Sequence, residues 1–194
     1  MSFHRFAGMA ALLLTACSEP NAGRHGYPAA EPPERNASPE SVVLFPREML
    51  ADIRDDQVGV VQDAPYLFVL NAVARVDDVE LSHHAHVQLG VPALVKHPDR
   101  FRGKLAKVKG RLVSIQPIEA PPNAVGLPYL YEGVVETSDW DYVIFHAFHK
   151  EGDFVPGKDK VEAEGVFLRL HPLPTPRGDV RAAPLILGKW LRRR

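Results

Sequence analysis

The chain has 194 residues, 45% of them hydrophobic and 24% charged, with a net charge of −1. That is the balance of a folded globular protein of one medium domain with an appendage. Cys17 is the single cysteine, so no internal disulfide can form and stability must come from a packed core. Charge is spread unevenly: residues 18–97 carry 6 Lys/Arg and 12 Asp/Glu, whereas residues 98–194 carry 16 and 12. The two segments therefore differ in character, and their opposite signs allow the first to dock on the second.

Arg5 supplies a positive start and residues 6–14 an apolar run. The run is too short for a membrane span, which takes about 18 or more apolar residues. Leu14-Thr15-Ala16 then places an aliphatic and two small residues before Cys17. This segment resembles a bacterial lipoprotein signal. The resemblance implies a signal peptide over residues 1–16, removal of that peptide, and acylation (palmitate) of Cys17 as the new N-terminus. Ser18 is not the aspartate associated with inner-membrane retention. The expected home is therefore the cell envelope, at the outer membrane facing the periplasm.

Residues 17–40 follow as lipid anchor and disordered linker. Pro20, Pro28, Pro32, Pro33 and Pro39, with almost no apolar cluster between them, cannot offset the entropy of ordering. Residues 41–97 read as helical. Pro46 opens a short helix with Met49, Leu50 and Ile53 on one side. Asp63 caps a second helix over 64–73, apolar on most faces through Leu67, Phe68, Leu70 and Val73. A third spans 78–88 until Gly90 and Pro92 interrupt it, and a last turn covers 93–96.

From Pro98 the pattern changes to strands, expected over 104–116, 128–138, 141–149, 160–171 and 183–190, with loops rich in Pro, Gly and Asp between them. The first and fourth repeat a motif in which alternating inward residues reach a glycine, Gly110 or Gly165, and the apolar face then switches. Such a glycine marks a bulge or bend that lets one long strand serve two sides of a barrel. The expected fold class is α+β: signal and tether, a helical segment packing on a barrel, and a five-stranded barrel over 98–194. The barrel resembles an OB-fold. The run Pro98-Asp99-Arg100-Phe101-Arg102-Gly103-Lys104, with Tyr131-Glu132-Gly133 and Ala183-Pro184-Leu185-Ile186-Leu187, is similar to bacterial lipoproteins built as helices followed by an OB-fold-like domain. Only about ten residues separate strands three and four, too few for the helix many OB-folds carry there, so the preceding helical segment is expected to plug that end.

Basic residues crowd the first strand (Arg100, Arg102, Lys104, Lys107, Lys109, Arg111), and Tyr129, Tyr131, Trp140, Tyr142 and Phe145 fall on the second and third. OB-folds bind single-stranded nucleic acid through such a combination. Strands one and four are neighbours in that barrel, however, so Lys107 and Lys109 are expected opposite Glu162 and Glu164 as ordinary cross-strand pairs. No nucleic-acid partner is expected. Tyr129, Tyr131, Trp140 and Tyr142 form the expected ligand face. His83 and His86 share a helix face at a spacing compatible with a metal, and His146 and His149 point to opposite faces of a strand. No acid or cysteine completes a ligand set, so the histidines read as surface or capping groups, and neither metal nor cofactor is expected. Asp139 and Asp141 flank Trp140 as turn residues, and no nucleophile elbow, phosphate loop or zinc-protease motif occurs. The expectation is a membrane-anchored, non-enzymatic binding or assembly module of the envelope, its partner a protein or glycan. A histidine-dependent envelope enzyme or metal handler is the alternative.

Overall fold

The structure is a computed structural model that describes residues 45–55, 63–79, 81, 90–139, 141–175 and 178–194. Its first helix, α1 (Arg47–Leu50), follows Pro46, and Leu50 and Ile53 turn into the core. Met49 does not join them as the sequence suggests; it is 44% exposed. The second helix, α2 (Ala64–Arg75), starts where expected. Pro65 sits in the first turn, and the Asp63 carboxylate accepts from the Tyr66 N–H at 3.0 Å, satisfying one of the open donors of a helix start. Tyr66, Val69, Leu70 and Val73 fall one and two turns apart and are fully buried. Each such side chain contributes about 1.5–3 kcal/mol on leaving water. Leu67 and Phe68 are only half-buried. Asp78, Val79 and Leu81 are helical, and the remainder of the third expected helix lies outside the described residues. Two short helices follow, α3 (Val91–Lys96) and α4 (Pro98–Phe101). The strand-rich part thus opens with a helical turn, which Gly103, at φ +78°, ends.

Five strands come next: β1 (Leu105–Glu119), β2 (Tyr129–Glu136), β3 (Tyr142–Lys150), β4 (Lys160–Pro174) and β5 (Val180–Arg193). With the helices among the described residues this makes an α+β protein. The strands form a closed barrel in the order β1-β2-β3-β5-β4. All pairings are antiparallel except β3 with β5. Side chains of alternate residues separate into two clusters. Ala106, Val108, Leu112, Val135, Val143, Phe145, Ala147, Val161, Ala163, Ile186 and Leu191 fill the interior, with Val91 of α3 packed against them. Ile144, Phe148, Val166, Leu168, Leu185 and Leu187 face outward and are covered by Phe45, Leu50, Ile53 and the apolar side of α2. Of the helical segment, α3 therefore reaches the barrel interior, whereas α2 lies on the outer wall.

The two glycine motifs behave differently. In β4 the ladder slips between Ala163 and Gly165, and the buried set passes from Val161 and Ala163 to Val166 and Leu168, as expected. In β1 the slip comes later, between Leu112 and Ser114. Leu112 keeps the inward phase of Ala106 and Val108, so Gly110 is not the switch. Its role is close approach: a Cβ there would meet the Glu136 carbonyl and lie 2.7 Å from Val135 Cγ1. The cross-strand charges fall as expected. Lys107 sits opposite Glu164 and Lys109 opposite Glu162, with Lys107 Nζ 2.6 Å from Glu162 and 2.5 Å from Glu164, and Lys109 Nζ 3.2 Å from Glu162.

Candidate functional site

Two polar features stand out. The first is a chain of hydrogen bonds on the outer wall, buried at its Tyr66–His146 end and exposed at its Gln116 end. Register places Gln116, Glu132 and His146 on adjacent strands of one rung. Gln116 Nε2 donates to Glu132 at 3.0 Å, His146 Nε2 lies 3.2 Å from Glu132 Oε2, and Tyr66 Oη lies 2.8 Å from His146 Nδ1. His146 is 1% exposed and Tyr66 not at all. A neutral ring with its proton on Nε2 satisfies both nitrogens, donating to the carboxylate and accepting from the phenol. The hydrogen bond from His146 holds the Glu132 carboxyl below its usual range. Burial, then the Glu132 charge, pushes the Tyr66 phenol up.

Beside this chain, Arg169 of β4 is buried and donates from Nη2 to both Asp63 oxygens at 2.7 Å. Asp63 thus caps α2 and neutralises a buried guanidinium at once. His171, two residues on, is held below its ordinary value chiefly by burial. On the far side of α2, Asn71 Oδ1 accepts from the Ala124 N–H at 2.9 Å, which fastens the helix to the β1–β2 loop. A carboxylate–imidazole–phenol relay has the ingredients of acid–base chemistry. Here its phenol end is closed under α2, and the arrangement pins helix to barrel.

The second feature is an open groove of about 630 Å³ at one end of the barrel, lined by Lys109, Gly110, Arg111, Glu136, Thr137, Ser138, Lys160 and Arg194. Arg111 is paired with Glu136, whose other oxygen accepts from Tyr142 Oη at 3.3 Å. Lys109 is paired with Glu162. The Arg194 N–H donates to the Lys160 carbonyl at 3.0 Å, which holds those two residues side by side. Both are exposed, and among the described residues no carboxylate pairs with either side chain.

Of the residues singled out from sequence, Cys17, His83, His86 and Trp140 lie outside the described residues. Tyr129 and Tyr131 meet edge to face at 5.5 Å, with Lys150 Nζ over the Tyr131 ring. Tyr142 does not join them. It pairs with Glu136 at the opposite end of the β2–β3 hairpin, and its side chain packs on the outer cluster whereas Tyr131 packs on the inner one. His149 is exposed and stacks on Trp190 at 4.6 Å, opposite in direction to His146 as expected. His146 itself is no surface histidine; its partner Tyr66 is 80 residues away. Basic residues of the first strand are largely paired: Arg102 with Asp55 and Asp99, Lys107 and Lys109 with Glu162 and Glu164, Arg111 with Glu136. Among the described residues no three His, Cys, Asp or Glu side chains gather to hold a metal.

The relay and the Asp63–Arg169 pair were missed because each joins segments far apart in the chain. Only Asp63, as a helix start, left a local signal. Comparison with protein-family models, with curated proteins and with solved structures finds no match to this chain.

Proposed function

We propose that this protein is a lipid-anchored, non-enzymatic binding or assembly module of the cell envelope, built on an OB-fold-like barrel. The strand order β1-β2-β3-β5-β4 with its one parallel pair, β3–β5, supports the barrel type. In that fold the outer face of β2 and β3, between the β1–β2 and β4–β5 loops, is the usual ligand site. One observation carries the proposal: α2 packs on the outer wall at β4 and β5, beside this face, and is held there by Tyr66–His146, Asn71–Ala124 and Asp63–Arg169. The polar groups suited to chemistry are bonded to one another beneath it, and the groove at the barrel end remains open. Pairing of Lys107, Lys109 and Arg111 with Glu162, Glu164 and Glu136 also argues against single-stranded nucleic acid as partner, because those cations are already compensated.

The anchor rests on the pattern Leu14-Thr15-Ala16-Cys17. Cys17→Ser is expected to abolish palmitate labelling and release the protein from the membrane fraction, and equal labelling and retention in the variant would overturn the anchor. For the module itself, mild-detergent pull-down from envelope membranes is expected to capture a stoichiometric protein or glycan. Recovery of the protein alone, together with turnover of an envelope metabolite, would overturn it.

The Glu132–His146–Tyr66 relay favours a second reading, an envelope enzyme using His146. It requires α2 to lift from the barrel. Hydrogen exchange decides this: α2 amides exchanging far faster than those of β3 would support the enzyme, and matched protection would exclude it.

A further inference from the structure

The groove at the barrel end combines positive charge with a concave shape. Its four cations, Lys109, Arg111, Lys160 and Arg194, face two carboxylates: Glu136 in the groove wall and Glu162 beside it. Two pairs are thereby closed. Among the described residues no side-chain carboxylate pairs with the side chains of Lys160 and Arg194, which the hydrogen bond between their backbones holds side by side. Ser138 adds a hydroxyl at the same rim, next to Thr137, whose own hydroxyl donates to the Asp141 carbonyl at 3.3 Å. Gly110 forms part of the wall without a side chain, and none could be added there because its Cβ would meet the Glu136 backbone. A concavity of about 630 Å³ falls within the range of small-molecule sites, about 300–1,000 Å³, and exceeds what a bare inorganic anion fills.

We infer that this groove binds a phosphorylated small molecule through its phosphate monoester, with Lys160 and Arg194 as the main ligands and Ser138 as a hydroxyl donor. A phosphate monoester carries about −1.5 to −2 charges at neutral pH and three acceptor oxygens, which matches two cations and a hydroxyl. A phosphate diester, as in most lipid headgroups, carries one charge and matches less well. Arg194 supplies a forked donor and Lys160 a point charge. The inference rests on the protein being a binding module, and it names the ligand class of that module's open site.

The test is calorimetric titration of the full chain in neutral detergent micelles at low ionic strength. The probes are glycerol phosphate, glycerophosphoglycerol and inorganic phosphate. Glycerol phosphate is expected to bind saturably and more tightly than the diester, with inorganic phosphate weaker than glycerol phosphate because it leaves the groove part-filled. Lys160→Ala and Arg194→Ala should each weaken binding by about tenfold, the scale of one charge-assisted hydrogen bond. Lys96→Ala removes an equally exposed charge from another face and should leave affinity unchanged. Both groove side chains are exposed, so these variants fold, which thermal melts verify. Absence of saturable binding would overturn the inference, as would a Lys96→Ala loss equal to that of Lys160→Ala, or a diester bound as tightly as the monoester. None of these results disturbs envelope anchoring or capture of a partner, so failure of the inference is separable from failure of the module.

Discussion

Replacing Asp63 tests whether α2 is locked to the barrel or merely rests on it. Asp63 caps the helix through the Tyr66 N–H at 3.0 Å and holds Arg169 through both oxygens at 2.7 Å. Its side chain is 28% exposed and that of Arg169 only 1%. Losing the cap costs about 1 kcal/mol. Removing one partner of a buried ion pair costs about 3–5 kcal/mol, because the remaining charge stays out of water. Water reaches Asp63, so the lower part of that range applies, and Asp63→Ala should destabilise by about 3–5 kcal/mol in all. Asp63→Asn keeps a competent cap and removes only the charge, so it should cost about 1 kcal/mol less than alanine. Arg169→Met returns Asp63 to a capping residue with no buried charge opposite, and should be the mildest of the three. The double variant Asp63→Asn/Arg169→Met should cost less than the sum of its parts. Urea denaturation followed by tryptophan fluorescence measures all four. An Asp63→Asn protein within about 0.5 kcal/mol of wild type, the ordinary range for surface substitutions, would refute the lock.

The glycines of the barrel should separate by what surrounds them. Gly165→Ala places a methyl 2.7 Å from the Leu187 carbonyl carbon and should cost about 3 kcal/mol, whereas Gly133→Ala meets Leu112 at 3.6 Å and Leu191 at 3.7 Å and should cost under about 1 kcal/mol; equal thermal melts for the two would contradict the packing. Acid sensitivity should trace to the outer-wall network. His171 and Glu132 both titrate below their ordinary values of 6.5 and 4.5 in the folded state, so the stability they contribute is complete above those values and is lost as pH falls through the folded ones. Unfolding free energy should therefore begin to fall below about pH 6.5, and His171→Gln should flatten that upper limb while leaving the carboxylate limb; an unchanged slope in the variant would assign the effect elsewhere.

Much of the local structure was legible in the residues themselves. Alternation of period two, punctuated by Pro and Gly, located all five strands to within about three residues at each end; β1 and β4 run three residues past expectation, and β5 extends three residues beyond it at both ends. Asp63 before Ala64-Pro65 announced the start of α2 because a helix cap is a contact three residues long. The pairing of Lys107 and Lys109 with Glu162 and Glu164 followed once strands one and four were taken as neighbours. Residues 143–148, by contrast, are buried on both faces of β3, so alternation carried no information there and His146 could not be distinguished from a surface histidine. The face of each tyrosine likewise depended on register. Glu136 pairs with Tyr142 and Tyr131 with Ala147, which sends Tyr131 and Tyr142 to opposite sides, and no local pattern specifies how a five-residue connection sets that register.

What the sequence by itself determined was therefore the order and kind of elements, together with contacts made within one helical turn. The tertiary structure decided which wall α2 covers, which polar groups meet beneath it, and which cations at the barrel end have no side-chain carboxylate partner among the described residues. The physical reason is that these depend on side chains brought together across long loops: Tyr66 with His146, Asp63 with Arg169, Lys160 with Arg194. Burial and charge compensation at such sites are properties of the assembled surface, and a linear pattern does not encode them one segment at a time.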